Sequence, residues 1–101
     1  DSTVVEEMKS WEPSSLDELK NLMFELMREK TSIDRVWTIF YWICRYIAYD
    51  LDESEKIMSP NEIFRLKKAT AQGYGTLFKD LCHHLRVPCV IIHGFVKDQY
   101  Y

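Results

Sequence analysis

The sequence has no apolar run long enough to span a membrane, and its first residues, Asp1 to Ser10, are polar and acidic, unlike a secretory leader. No membrane association is therefore expected, and the chain reads as cytoplasmic, or as an excised piece whose targeting segment lies elsewhere. A basic field is also missing. The net charge is −3, and the one local cluster, Arg65, Lys67 and Lys68, reads as a solvated helix end, so a nucleic-acid partner is not expected. Cys44, Cys82 and Cys89 are an odd number with no framework spacing, which excludes a disulfide scaffold and suits thiols used as small apolar groups in a reducing compartment. Neither an internal repeat nor a low-complexity tract is present.

What is present suits one small domain or part of a larger one: 101 residues, 47% hydrophobic and 14% aromatic, enough apolar surface for a core with a thin stability margin. Residues 1–13 lack sustained periodicity and read as a lead-in, leaving 14–101 as the domain. Ser15 and Glu18 form a capping box, and Leu16, Leu19, Leu22, Met23, Leu26 and Met27 follow at helical spacing to about Glu29. Thr31 or Ser32, with Asp34 in the first turn, starts a second helix. It runs through Val36, Trp37, Phe40, Ile43, Cys44 and Ile47 and is apolar around much of its circumference, so it is expected to be central and buried. Ser59-Pro60-Asn61-Glu62 is the cleanest start signal, opening a short helix over Ile63, Phe64 and Leu66. A fourth helix begins at Ala71 or Gln72, uses Tyr74, Leu77, Phe78, Leu81, Cys82 and Leu85, and stops at Val87-Pro88. The β-branched run Cys89-Val90-Ile91-Ile92 then reads as a buried strand. The expected fold is thus α+β, about four helices followed by one core strand. A lone strand cannot satisfy its own backbone, so its partners are expected in a continuation, in Thr3-Val4-Val5, or in another copy of the chain. The domain is accordingly expected to be incomplete at its C-terminus and able to self-associate through an unfinished sheet edge.

Three segments between Arg35 and Val96 carry a resemblance. They are Trp42-Ile43-Cys44-Arg45-Tyr46-Ile47-Ala48-Tyr49-Asp50, Ser59-Pro60-Asn61-Glu62-Ile63-Phe64-Arg65 and Lys67-Lys68-Ala69-Thr70-Ala71-Gln72-Gly73-Tyr74. In this order they resemble the transglutaminase-like, papain-related superfamily, most nearly its kyphoscoliosis peptidase and hillarin type. Leu77-Phe78, Leu81-Cys82 and Val87-Pro88 continue the match. The resemblance implies the predominantly helical N-terminal half of that core. It also implies a nucleophile motif, normally Lys-Lys-x-x-Cys-x-Gly-Tyr, in which Ala71 stands at the cysteine position and Gln72, Gly73 and Tyr74 are the remaining motif. A thiol in the first turn of a helix faces unpaired amides and the positive dipole end, which lowers its pKa. A methyl group can neither ionise nor attack. Gly73 is expected to leave room for a substrate chain, and Tyr74 to point back into the core. The resemblance also places the histidine and aspartate of a triad in strands beyond the first, so no intact catalytic residue is expected here. A helix N-terminus with free amides, a weak anion site, is what remains.

The other reactive side chains read as structural. Cys82, between Phe78 and Leu85 on an apolar stripe, is expected to be buried and inert, and Cys44 likewise on the central helix. Cys82, His83, His84, Cys89 and His93 match no zinc spacing, and His83 and His84 point to different faces of a helix. Near a helix C-terminus those two suit the dipole, and His93 reads as a core or rim histidine. Asp50-Leu51-Asp52-Glu53-Ser54-Glu55 lacks the glycine and periodicity of a calcium loop and reads as a solvated linker. No metal and no cofactor are expected. Trp37, Tyr41 and Trp42 could line a groove, but three aromatics on a buried helix read as core, whereas Tyr100 and Tyr101 would suit pairing with another chain. Two functions follow. One is a catalytically inactive domain that binds proteins, with cytoskeletal filament or cross-linker partners implied by the resemblance. The other is a truncated cysteine peptidase or transglutaminase whose nucleophile was changed to alanine.

Overall fold

Each start signal in the sequence fixes a helix. The computed structural model describes residues 2–51 and 57–100 and contains six helices and one two-stranded parallel sheet. Helix α1 (Ser2–Lys9) is followed by α2 (Leu16–Leu26), which starts at Ser15, whose hydroxyl accepts from the Glu18 amide. The Glu18 carboxylate turns to Ser14 instead of the cap, accepting from its hydroxyl at 2.7 Å and its amide at 3.1 Å, and these bonds hold it below the usual carboxylate range. Thr31 and Asp34 exchange both bonds of a capping box at the start of α3 (Ser32–Tyr46). Ser59 and Glu62 do the same for α4 (Pro60–Leu66), with Pro60 in its first turn.

Strand β1 (Ala48–Tyr49) leaves α3 directly and pairs with β2 (Lys68–Ala69), Ala48 opposite Lys68 and Tyr49 opposite Ala69. The Ala48 amide donates to the Lys67 carbonyl at 2.8 Å, and the Asp50 amide to that of Ala69 at 2.9 Å. Lys67 makes the tight link from α4 to β2 by adopting a left-handed conformation, φ 57°, which costs a lysine about 1–2 kcal/mol. Its ammonium offsets part of this, lying 3.4 Å from the centre of the Phe64 ring and donating to the Phe64 carbonyl. Helix α5 (Ala71–His84) follows after a single residue, and α6 (Cys89–Tyr100) closes the chain.

The α+β class and its helical character stand, but two elements differ from the sequence reading. Within residues 1–13, expected to show no regular element, α1 buries Val4 and Met8 in the same core as the rest. Cys89-Val90-Ile91-Ile92 is not a strand. Pro88 opens a helical turn there, its carbonyl accepting from the amides of Ile91 and Ile92. Ile92 and Phe95, three residues apart, both turn inward; Ile92 is buried, and Phe95 stacks on Phe78 at 5.2 Å. Tertiary packing at helical spacing overrides the β-propensity of the run. The unpaired strand edge expected at 89–92 is consequently absent.

Helices α3 and α5 form the centre of the core. Val36, Ile39, Trp42 and Ile43 of α3 meet Leu77, Phe78, Leu81 and Cys82 of α5, all buried. Arg35 fastens three elements. Its guanidinium donates to the carbonyls of Met27 and Arg28 at the end of α2 and, at 2.7 Å, to Leu85 at the end of α5. A cation placed on two helix C-termini satisfies orphan carbonyls and complements both dipoles. Lys20 and Asp80 add an ion pair of 2.8 Å between α2 and α5.

Candidate functional site

The short path from α4 through β2 delivers position 71 to a fixed place. Thr70 caps α5, its hydroxyl accepting from the Gly73 amide at 3.4 Å, while its carbonyl accepts from Tyr74 at 2.9 Å. Ala71 is therefore the first residue of the helix, and its methyl group and the Gln72 side chain are exposed. Gly73 faces the other way. A Cβ there would lie 2.8 Å from the Ala69 Cβ and 3.3 Å from Ile63 Cδ1. The space expected for a substrate chain is the contact of α5 with β2 and α4. The glycine is needed for close packing, not for substrate access.

Tyr74 is half-buried and its hydroxyl donates to the Ile47 carbonyl at 2.6 Å, so it ties α5 to the end of α3. Its ring stacks on Tyr49 at 5.8 Å. Burial, with Cys44 and Tyr49 nearby, raises the phenol pKa, which keeps its proton on the donating side of the bond. Cys44, expected to be buried on the central helix, is exposed; partial burial still raises its thiol. Cys82 is fully buried, and desolvation pushes its thiol up to about 12. Cys89 is exposed.

The histidines do not converge on Ala71. His83 and His84 occupy the last turn of α5, about 18 Å along the helix from its start. The His84 ring lies edge-on to Phe24 at 6.0 Å. His93 is exposed on α6, where a core or rim histidine was expected. No three His, Cys, Asp or Glu side chains come together among the described residues. Trp42 is core, but Tyr41 is half-buried and Trp37 is 50% exposed, so the three aromatics do not all belong to the interior. Residues 52–56 of the acidic loop, the Tyr100 side chain and Tyr101 lie outside the described residues. Among the described residues, no helix is long and apolar enough to cross a membrane.

Sequence reasoning missed Thr70. The signal was a threonine immediately before the helix, masked because Gly73 supplies no side chain to close a capping box.

The profile of the transglutaminase-like superfamily matches residues 20–100, which span both central helices, the β1–β2 pair and the start of α5. The chain belongs to the transglutaminase-like superfamily. Within it, the chain is 34% identical over 89 residues to the kyphoscoliosis peptidase of Homo sapiens, covering 83% of this chain, and 33% identical over 84 residues to that of Mus musculus, covering 78%. It is also 33% identical over 73 residues to hillarin of Drosophila melanogaster, covering 70% of this chain. The matches take in 13% of each peptidase and 9% of hillarin, so the chain corresponds to a small part of these transglutaminase-like relatives. No solved structure matches it.

Proposed function

We propose that this chain is a catalytically inactive transglutaminase-like domain whose role is to bind other proteins, with cytoskeletal filament or cross-linking proteins as the partner class and the cytoplasm as its place of action. The observation that carries the reading is Ala71: the helix start that would activate a thiolate presents a methyl group. The other motif residues have structural reasons that need no thiol. Gly73 admits Ala69 and Ile63, and Tyr74 ties α5 to α3, so both would persist in a scaffold without chemistry. Neither exposed cysteine substitutes for the missing one, since Cys44 lies on α3 with a raised thiol and Cys89 opens α6.

A cysteine peptidase or transglutaminase whose nucleophile was exchanged for alanine is the second reading. Gln72 favours it: the side chain is exposed beside Ala71 and packing does not account for it. Two relatives are also named as peptidases. The test is an assay of the purified chain for hydrolysis of a glutamine peptide and for incorporation of an amine into it. No product above the buffer rate is expected. Turnover that iodoacetamide abolishes would overturn the non-catalytic reading.

A further inference from the structure

In α6 the local sequence and the conformation pull in opposite directions. Residues 89–95 hold three consecutive β-branched side chains, Val90, Ile91 and Ile92, no proline, and no charge while His93 is neutral. An uncharged, β-branched window of this length is the composition that pairs with its own copy as a strand. As a helix the same window has little local support. Helices α2 to α5 each start on a Ser or Thr whose hydroxyl accepts a backbone amide. Helix α6 follows Pro88, which has no side-chain acceptor to offer. Gly94 weakens its interior, and packing does not require a glycine there, since an added Cβ would meet nothing within 4 Å. Contacts with the core hold the window helical instead. Ile92 is buried and Ile91 half-buried, and the Phe95 ring packs on Trp37 at 5.1 Å and on Phe40 and Phe78 at 5.2 Å. Val90, 78% exposed, adds nothing to that seat.

We propose that residues 89–95 are a conditional element: a helix while Phe95 is seated and, once it is released, a strand paired in register with the same residues of a second copy of this chain. A second copy is the occupant because the chain's own sheet cannot take the strand: β1 and β2 are two residues long each, too short to template the window. Pairing in register gives the amides and carbonyls of the window partners in the copies beside it and brings like apolar side chains together. The switch depends neither on Ala71 nor on any other protein, so it stands or falls apart from the proposed binding role.

The purified full chain, kept reduced so that Cys44 and Cys89 form no disulfides, is warmed to just below its Tm and followed by particle size and by the infrared signal of intermolecular β-structure. Assembly is expected, with amide exchange in the product slowed at residues 89–95. Val90→Lys replaces a side chain that the folded helix leaves exposed, so the helical spectrum should persist. Assembly should nevertheless slow about ten-fold or more, because the paired strands would stack the new charges on one another. Leu51→Lys makes the same change at an 81% exposed site outside the window and should leave the rate unchanged. Gly94→Ala should slow assembly about three- to five-fold by favouring the helix. The proposal is overturned if the warmed chain stays monomeric, if protection falls on the apolar run of α3 instead of 89–95, if V90K or G94A assembles at the unmodified rate, or if L51K slows assembly as much as V90K.

Discussion

Burial raises the thiols of Cys44 and Cys82, and at Cys82 it sets the pH at which the fold weakens. Cys82 is surrounded by the α3–α5 core, so its neutral form is favoured and its pKa stands at about 12 in the folded chain. In the unfolded chain it returns to about 8.5. Between these values the unfolded state has released a proton that the folded state still holds, so stability is fully present below about pH 8.5 and falls as pH rises toward the folded value. Tyr74, also raised, acts in the same direction. Urea midpoints at pH 7 and pH 10 should show this loss, and Cys82→Ala should flatten it without removing it, apart from a pH-independent cavity cost. A midpoint that does not move between the two pH values would refute the assignment of burial as the cause.

The two glycines of α5 separate the demands of packing from those of helix propensity. At Gly75 an added Cβ meets nothing within 4 Å, so Gly75→Ala should raise stability by about 0.5–1 kcal/mol through propensity alone. At Gly73 the same change drives a Cβ into that of Ala69, which is fixed to the backbone of a two-residue strand and cannot rotate away. Gly73→Ala should therefore lower stability by about 1–3 kcal/mol despite the same propensity gain. Denaturant midpoints for the pair test the difference in sign. Elements of this kind were legible where a local rule decides them. Ser15, Thr31 and Ser59 announced their helices through side chain to backbone bonds that need no tertiary context. Helix α1 was hidden because its buried face rests on Val4 and Met8 alone, too few for a period. Strands β1 and β2, two residues each, are too short to show alternation. Val90-Ile91-Ile92 misled because β-branched composition was read before the spacing of Ile92 and Phe95, whose partners on α3 and α5 are distant in sequence. At the candidate site, position 71 as a helix start was legible, whereas the inward face of Gly73 was not, since Ala69 and Ile63 meet it only in the fold.

Across the whole molecule, Arg35 binds the ends of α2 and α5 to α3 with one planar group. Lysine offers a point charge on a flexible stem and cannot reach three carbonyls in a fixed fork. Arg35→Lys should therefore cost about 1–2 kcal/mol, seen as a fall of several degrees in Tm, with the helical spectrum retained at low temperature. A Tm unchanged by this substitution would mean that the core of α3 and α5 holds the helix ends without it. The same frame fixes Ala71: Thr70 caps the helix, Gly73 seats it on β2, and Tyr74 fastens it to α3.

That the chain has no nucleophile of its own is tested most directly with an activated ester, p-nitrophenyl acetate, which any poised thiolate attacks without help from a general base. A stopped-flow trace of the purified chain should show slow nitrophenol release with no burst. Ala71→Cys, with a thiol in the first turn of α5, should give a burst stoichiometric with chain and then stop, acylated but unable to turn over. A stoichiometric burst from the unmodified chain, with an acetyl group found on Cys44 or Cys89, would contradict the account.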